Sequence, residues 1–444
     1  MSLTPALEKL YQLDKQHLES TELPIITVSA SSREDLKGVF GLPENETLTD
    51  IVFSRAHYSM ALAIAIQAWQ SKVDAKKAWI IDPTNYVSAQ DWNKIVLTET
   101  IGKTLARNPL LKRIKDLIDR FGRSKLPILP SITPPLLHLT ENIDRPILSL
   151  HIAAGNILAA QGKKVLQIIT DPHVRGDYLF NADLPNIKYG VFDSKTKTDF
   201  LEKAKILGKK VSPEKVIVTG PPIDPRVIKA KRKKNAWRSG PLHVCLATGG
   251  LGTNKQEIKK ILCQFMPELR KKPSPFRLML YAGTQKDIFA MARRVAHEKH
   301  VQATIIRHSH EANLLKKHSR QKHHHNFYIL YHPQIVDANE LLVEHAFAWS
   351  HAFISKPSGD MAYDAVASGN FLLTLQEWGE WEHNIREFFE QKEVSRPAQV
   401  DHIIEQINTL QKTGWVEKAM HKAFVLDDVF AKGAENIIKA VASF

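Results

Sequence analysis

The sequence has few cysteines and no long apolar run. Only two cysteines occur among its 444 residues. Both Cys245 and Cys263 lie in apolar stretches, which indicates small buried side chains in a reducing compartment. The longest apolar run, residues 60–66, is far shorter than the ~20 residues that a membrane-spanning helix needs. The N-terminus lacks a basic start followed by an apolar core, so we expect no signal peptide and a cytoplasmic location.

Signatures of several ligand classes are also missing. No motif of the usual nucleic-acid-binding folds is present, so we expect no nucleic-acid partner. The sequence has no Asp-x-Asp pair, and we therefore expect no essential metal cation or other cofactor. A histidine-rich segment at 307–325 could bind a metal, but without a defined ligand set a solvated insertion is the favoured interpretation.

Positive charge is in excess. The net charge is +14 and the pI is near 9.5, which indicates attraction to an anionic partner. Because nucleic-acid motifs are missing, a membrane surface or an anionic lipid is favoured. With 43% hydrophobic residues, a chain of this length can form two or three domains with cores of their own.

The strongest local signal lies between residues 352 and 374. Residues 352–355 form a short apolar run typical of a buried strand, and 356–359 predict a tight turn. Residues 360–368 have helical spacing, and 371–374 predict another strand. Backbone N–H groups at such a helix start favour an anion, so a diphosphate would fit there.

A second polar loop strengthens this signal. Most turns of parallel α/β proteins bind nothing, and on the turn alone that interpretation is favoured. Residues 376–384, however, are rich in acidic and aromatic side chains and follow the next predicted strand. Open α/β sheets bind ligands at the carboxyl ends of their strands. Two hydrogen-bonding loops at one edge therefore predict a binding site.

The sequence here resembles the donor-sugar signature of GT-B glycosyltransferases. The similar residues are 355–359, Asp364 and 367–369. The most similar branch contains the monogalactosyldiacylglycerol synthases, the processive diacylglycerol glucosyltransferases and the peptidoglycan N-acetylglucosaminyltransferase. That branch has glycine, threonine and glutamate where this chain has Ser358, Met361 and Asp364.

The resemblance implies a UDP-sugar donor. A glycine-rich loop at 248–253, between a predicted strand and a predicted helix, matches the phosphate-facing loop of the family. It lacks the GK[ST] sequence of an ATP-binding Walker loop. The resemblance implies that Asp364 holds the ribose and that Glu382 and Asn384 hold the sugar. The complete implied donor set is Gly249, Gly250, Gly252, Thr253, Lys356, Ser358, Gly359, Asp360, Asp364, Glu382 and Asn384.

The acceptor half of the resemblance lies near the N-terminus. Residues 50–82 predict strand, helix and strand, with His57 at the position of a family histidine. Arg55 and Ala56 replace the family glycines before it. Asp171 follows the strand predicted at 165–170. The resemblance implies that His57 or Asp171 deprotonates the acceptor; a helix-terminal histidine and an N-cap aspartate are the alternatives.

Residues 101–126 predict a basic amphipathic helix. Eight Lys and Arg residues interleave there with apolar residues at helical spacing. Such a helix is typical of membrane-surface binding, although an ordinary surface helix is an equal alternative. The residues assigned to a membrane contact are Leu111, Lys112, Arg113, Lys115 and Leu117. The proline-rich residues 127–135 predict a loop.

The sequence as a whole predicts two Rossmann-like, doubly wound α/β domains that face each other across a cleft, the GT-B fold. Residues 1–222 form the acceptor-side domain, 223–240 a basic linker, and 241–444 the donor domain, whose last helix crosses back. The expected activity is metal-independent transfer of a hexose or N-acetylhexosamine from a UDP-sugar to a lipid or lipid-linked acceptor, by a peripheral protein on the inner face of a membrane. The alternatives are a non-catalytic nucleotide-sugar or lipid-binding protein and a nucleotide-sugar epimerase.

Overall fold

The structure, a computed structural model, describes residues 4–31, 50–107, 128–232, 234–308, 311, 326–426 and 428–444. It divides into two compact units. The first unit consists of Met1–Pro225 with Asp427–Phe444, and the second unit consists of Arg226–Leu426. Each unit is built around one parallel sheet, so both predicted α/β folding units are present.

The sheet of the first unit has six strands in the order β4-β1-β5-β6-β7-β8, and every neighbouring pair is parallel. A separate antiparallel ribbon pairs β2 with β3. The strands are β1 (Leu23–Ile26), β2 (Ala30–Ser31), β3 (Ile51–Val52), β4 (Ala78–Ile81), β5 (Ile147–Ser149), β6 (Val165–Ile168), β7 (Ile187–Val191) and β8 (Val216–Val218).

The helices of the first unit follow the strands and cover the sheet. In chain order they are α1 (Pro5–Ser20), α2 (Arg55–Trp69), α3 (Ala89–Arg107), α4 (Ile128–Thr140), α5 (Ile152–Ala160) and α6 (Ser194–Ile206). Their apolar faces and the sheet bury a continuous core that includes Leu18, Ile132, Leu158 and Phe200. Burial of this apolar area is the main source of the unit's stability.

The sheet of the second unit has seven strands in the order β11-β12-β10-β9-β13-β14-β15, again with only parallel neighbours. The near-continuous apolar sequences of these strands fit a sheet covered on both faces. The strands are β9 (Leu242–Ala247), β10 (Phe276–Gly283), β11 (Ala303–Ile306), β12 (Phe327–Tyr331), β13 (Ala352–Ser355), β14 (Phe371–Thr374) and β15 (Ser395–Pro397).

The helices of the second unit alternate with these strands. In chain order they are α7 (Pro225–Lys231), α8 (Lys255–Arg270), α9 (Lys286–Glu298), α10 (Ile335–Leu341), α11 (Phe347–Trp349), α12 (Met361–Ala367), α13 (Glu380–Gln391), α14 (Ile403–Lys412) and α15 (Trp415–Phe424). A π-helical turn, Leu342–Ala346, joins α10 to α11. The predicted basic linker thus contains a helix, and its Lys234 ammonium donates to the Phe347 carbonyl at 2.6 Å.

The C-terminal helices α16 (Asp428–Ala431) and α17 (Gly433–Ala442) belong to the first unit. Helix α17 packs against α2. Gly433 allows the start of α17 to approach the segment after β8, because a Cβ there would lie 1.9 Å from the Pro221 carbonyl oxygen. The Asn436 side-chain amide donates to the Thr219 carbonyl at 2.9 Å, which secures the contact.

Two predicted elements are wrong. The strand predicted at the start of residues 50–82 is present as Ile51–Val52, but it pairs antiparallel with Ala30–Ser31 and is not part of the parallel sheet. The strand that opens the parallel sheet is instead β1. The loop predicted at 127–135 is also wrong, because Ile128–Thr140 is helical despite its internal prolines. Burial of Ile132, Leu136 and Leu139 offsets the backbone hydrogen bonds that the prolines remove.

The structure describes only part of the segment that is predicted to bind a membrane. Helix α3 ends at Arg107 within the described residues, and Leu111, Lys112, Arg113, Lys115 and Leu117 lie outside them. Most of the histidine-rich segment also lies outside. In the described parts of the chain, no helix combines the length and apolar character needed to span a bilayer.

Candidate functional site

The second unit has a topological switch point between β9 and β13. Strand β9 lies between β10 and β13, and the chain builds the sheet first on one side of β9 and then on the other. In such sheets the crevice at the carboxyl ends of the two central strands is the usual ligand site. The loop after β9 is the predicted glycine-rich loop, and the loop after β13 begins at Lys356.

The glycine-rich loop forms a tight turn that leads into α8. The Gly252 amide donates to the Gly249 carbonyl at 2.9 Å, and Gly252 has φ +62. The Gln285 side-chain amide braces the turn by donating to the Gly250 carbonyl at 2.5 Å. The Thr253 side chain is 4% exposed, and its hydroxyl has no hydrogen-bond partner among the described residues. A long helix begins directly after this unsatisfied hydroxyl, an arrangement suited to an anion.

Lys356 lies directly against this loop. A Cβ atom on Gly249 would lie 2.9 Å from Lys356 Cε, so any other residue there would require the lysine side chain to shift. The Lys356 ammonium forms an ion pair with the Glu382 carboxylate. The Glu382 side chain is 1% exposed, and its second oxygen accepts the Trp378 amide at 2.7 Å. A positive charge is therefore present at this corner, with a buried counter-charge beside it.

The turn after Lys356 is stabilised by its own side chains. The Ser358 hydroxyl donates to Asp360 Oδ1 at 3.0 Å, and the Asp364 amide donates to the Asp360 carbonyl at 2.9 Å. Asp360 and Asp364 are 5% and 6% exposed, respectively. The structure thus brings Gly249, Lys356 and Glu382 together and places Ser358, Asp360 and Asp364 one after another along the adjoining turn and helix.

The second polar loop is shorter than predicted. It ends at Gly379, and residues 380–384 form the start of α13. Two acidic residues in the first turn, Glu380 and Glu382, favour a helix start at this point. The loop contacts the glycine-rich loop through Asn254, whose side-chain amide donates to the Gln376 carbonyl at 3.2 Å. Asn384 is half-buried on α13.

The first unit has its own switch point, between β1 and β5. His57 lies there, in the first turn of α2, whose N-cap is the Ser54 side chain. Arg55 and Ala56 therefore lie in a helix and not in a loop. His57 Nδ1 is 3.3 Å from the Val28 carbonyl oxygen, and Nε2 is 3.2 Å from the Thr170 hydroxyl.

These two contacts define the tautomer of His57. A carbonyl oxygen can only accept, so Nδ1 carries the proton and donates to Val28. In the neutral ring Nε2 is then the basic nitrogen and accepts from the Thr170 hydroxyl. The His151 ring packs edge-on against the His57 ring, with centroids 5.4 Å apart. This geometry suits a general base whose reactive nitrogen is Nε2.

Asp171 and Thr170 follow β6 at the same edge. Asp171 is half-buried, and its carbonyl accepts the His173 amide at 2.7 Å. Thr170 was missed as a functional candidate from the sequence, although it lies directly before Asp171. Its position at the carboxyl end of a strand could have identified it. The same holds for His151, which follows β5.

Asp82, at the end of β4, braces the loop that carries Val28. One of its oxygens accepts the Ser29 and Ala30 amides at 2.7 and 3.1 Å, and the other accepts the Thr84 amide at 3.0 Å. Burial raises the pKa of Asp82 to about 6, against the opposing effect of these hydrogen bonds. Asp82 thereby fixes the backbone against which His57 is oriented.

Comparisons with known proteins establish the fold alone. No protein-family model and no curated protein matches the sequence. The structure is similar to S. aureus MnaA, solved with UDP, with a TM-score of 0.50 and 11% identity over 95% of this chain and 96% of that chain. It is also similar to alpha,alpha-trehalose 6-phosphate synthase from Burkholderia multivorans, with a TM-score of 0.50 and 10% identity over 95% of this chain and 98% of that chain. With its two Rossmann-like sheets, the chain has the GT-B fold.

In the described residues, no group of three or more histidine, cysteine, aspartate or glutamate side chains could hold a metal ion. Cys245 and Cys263 are both free; Cys245 is buried in β9, as predicted, whereas Cys263 is only partly buried in α8.

Proposed function

We propose that this chain is a glycosyltransferase that moves a hexose or N-acetylhexosamine from a UDP-sugar to a lipid or lipid-linked acceptor at a membrane surface. One observation carries the proposal: at the switch point of the second unit, a glycine-rich loop packs against Lys356 and leads into a long helix. A diphosphate is the ligand that such a loop, lysine and helix start suit best.

The donor would bind to the second unit. Its diphosphate would lie against the glycine-rich loop and the turn at 356–360, with the Thr253 hydroxyl as one donor. The buried Asp364 carboxylate would hold the ribose hydroxyls. Asn384, half-buried on α13, would contact the sugar. A direct contact between Glu382 and the sugar stays a prediction. Both carboxylate oxygens of Glu382 already have partners within the protein.

The acceptor would be activated by the first unit. In the proposed step, His57 Nε2 takes the proton of the acceptor hydroxyl as the oxygen attacks the anomeric carbon. The bond between that carbon and the phosphate oxygen breaks, and UDP leaves with the electron pair. Lys356 and the backbone N–H groups of the glycine-rich loop would stabilise the charge that develops on the leaving diphosphate. The step needs no metal cation.

A membrane-bound acceptor is supported by helix α3. Leu97 and Ile101, one helical turn apart, are 52% and 38% exposed. They precede the basic and apolar residues 108–126, which lie outside the described residues. Exposed leucine and isoleucine beside lysines are typical of helices that lie in a membrane interface. A peripheral location on the inner face of a membrane is part of the proposal.

Calorimetric titration with UDP tests the donor site. The wild-type protein should bind UDP, and Asp364→Asn should weaken binding at least about tenfold, because a buried carboxylate that bonds hydroxyls contributes about 1.5–3 kcal/mol. Asp337→Asn is the control, since Asp337 is an exposed aspartate of the same unit. A wild-type protein that binds no UDP contradicts the proposed function. A folded Asp364→Asn protein with unchanged affinity removes only Asp364 from the site.

A non-catalytic nucleotide-sugar-binding protein is the second candidate. The observation that favours it is Met361, which is 1% exposed and offers no hydroxyl where the similar enzymes have threonine. A radiolabelled UDP-sugar panel with lipid extracts separates the two functions. Transfer or slow release of free sugar supports the enzyme, whereas UDP binding without any turnover supports the binding protein.

A further inference from the structure

We propose that Glu382 is a positioning residue that holds Lys356 and promotes release of UDP by disfavouring the second negative charge of its terminal phosphate. This inference rests on the proposed donor site. It assigns Glu382 a role different from the sugar contact that the sequence resemblance implies. If so, the site discriminates between two ligands. It favours the donor, which is an ester of a nucleoside diphosphate, over the product, which is the free nucleoside diphosphate.

The geometry of Glu382 carries the proposal. Its carboxylate spans two neighbouring loops, because one oxygen binds the Lys356 ammonium after β13 and the other binds the Trp378 amide after β14. Both interactions are within the second unit. Glu382 is 1% exposed, whereas the Lys356 side chain is 15% exposed. The lysine therefore remains open to a ligand on one side while the glutamate stays behind it.

The same geometry fixes the distance between a bound phosphate and the carboxylate. The Lys356 side chain lies against Gly249, with Nζ 3.9 Å from the position of a Cβ on that glycine. A phosphate bound to the glycine-rich loop would reach the same ammonium. It would then lie at most two hydrogen-bond lengths, about 5–6 Å, from the Glu382 oxygen.

The charge of the phosphate distinguishes donor from product. In a UDP-sugar the terminal phosphate is a diester with one negative charge. In UDP the same phosphate has a second ionisation with a pKa of about 6, so it carries nearly two charges at pH 7.5. A buried carboxylate at this distance repels the second charge. At an effective dielectric constant of about 20, a carboxylate about 5–6 Å from that charge weakens binding about a hundredfold.

The experiment compares UDP with its β-phosphate methyl ester, because the ester has the charge of a UDP-sugar without any sugar. Both ligands are titrated calorimetrically into the full-length wild type and Glu382→Gln at pH 7.5. The variant should gain about a hundredfold more affinity for UDP than for the ester. At pH 5, where the second charge is largely neutralised, this difference should shrink towards zero. A purely structural role for Glu382 would change both affinities equally at both pH values.

Glu387→Gln is the matched control, since it removes a charge from the same helix at a side chain that is 50% exposed and pairs with His383. It should leave the ratio of the two affinities unchanged. If Glu382→Gln does not fold, the wild type alone gives the test: its affinity for UDP relative to the ester should rise as the pH falls from 7.5 to 5. A lysine whose charge is not opposed by the carboxylate would make that ratio fall.

The outcomes are distinguishable. A wild type that binds neither UDP nor the ester overturns the proposed function and this inference together. A wild type that binds them, with equal shifts for both ligands in Glu382→Gln or with a wild-type ratio that falls on acidification, overturns only the role of Glu382.

Discussion

His57 is oriented by two hydrogen bonds that leave Nε2 as its basic nitrogen. We expect His57→Ala to lower the rate of sugar transfer about 10²–10⁴-fold, the usual contribution of a general base. UDP affinity should stay within about twofold, because His57 lies in the first unit and the donor loops lie in the second. A radiochemical transfer assay and calorimetry measure the two effects.

His297→Ala is the control for this prediction, because His297 is an exposed histidine near the end of α9. It should leave both transfer and binding unchanged. Transfer that persists in His57→Ala at the wild-type rate would show that another group accepts the proton. Asp171 and His151, at the same sheet edge, would then be the residues to change.

The positions of the candidate site residues could be predicted only where the ends of the strands could be predicted. His57 was located by its match to a family histidine, Asp171 by the resemblance and its place after a predicted strand, and Lys356 by its place after a predicted strand. The partners of these residues were not predictable, because Val28, Thr170 and Glu382 approach them through sheet order. Sheet order depends on packing between segments far apart in the sequence.

At the scale of elements, the glycine-rich loop and the turn after β13 pack against each other through Gly249 and Lys356. We expect Gly249→Ala to displace the Lys356 side chain, because the new Cβ would lie 2.9 Å from Lys356 Cε. A flexible lysine can move, so the free energy of unfolding should fall by only about 1 kcal/mol. UDP affinity should fall several-fold, since the ammonium is no longer held at the loop. Calorimetry and thermal denaturation measure the two quantities.

Gly176→Ala is the matched control, because a Cβ there would meet nothing within 4 Å and Gly176 has no positive φ. It should change neither UDP affinity nor stability by a measurable amount. Unchanged UDP affinity in Gly249→Ala would indicate that Lys356 contributes nothing to UDP binding.

Helix α3 should contact the membrane through its exposed apolar residues. We expect the double change Leu97→Ser and Ile101→Ser to weaken co-sedimentation with vesicles containing phosphatidylserine. Each residue buries apolar area in the interface at roughly 25 cal/mol per Å². Binding should also fall with added salt, since basic residues supply part of the attraction.

Ile206→Ser with Leu207→Ser is the control for this prediction. Ile206 and Leu207 are 81% and 57% exposed at the end of α6. That helix runs from the carboxyl end of β7 to the amino end of β8, so its end lies away from His57. Weakened binding in this control, with wild-type binding in the α3 variant, would assign the membrane contact to the other edge of the sheet.

Most strands were predictable because their apolar runs are short and bounded by turn residues, as in 352–355 and 371–374. Helix α4 was not, since its prolines suggest a loop and only the buried Ile132, Leu136 and Leu139 reveal why a helix persists. The start of α13 was missed for a related reason. Its acidic first turn could equally bind a ligand or start a helix, and the sequence alone does not distinguish the two.

At the scale of the whole molecule, both units place their polar candidates at a switch point and both contain buried titratable groups. In the second unit, His243 and His351 stack with centroids 4.9 Å apart at the amino ends of β9 and β13. Burial lowers the pKa of His243 to about 4 and that of His351 to about 3. In the first unit, burial raises the pKa of Asp82 to about 6.

These shifts have opposite consequences for stability. A histidine with a lowered pKa contributes stability that is full above its unfolded value near 6.5 and is lost as the pH falls towards the folded value. By pH 5 the loss is about 2 kcal/mol for each of the two histidines. The contribution of Asp82 is full below about pH 4 and is lost as the pH rises through 6, so acidification from pH 7 to pH 5 restores about 1 kcal/mol.

We therefore expect these buried groups to make the two units respond oppositely to acid. The two histidines should lower the stability of the second unit, and Asp82 should raise the stability of the first. Differential scanning calorimetry at pH 7 and pH 5 should show two transitions whose separation changes with pH. Asp82→Asn should remove the acid-dependent gain of the first unit, and His351→Gln should reduce the acid-dependent loss of the second. A single transition that shifts equally in the wild type and both variants would contradict the prediction, because neither buried group would then control the stability of its own unit.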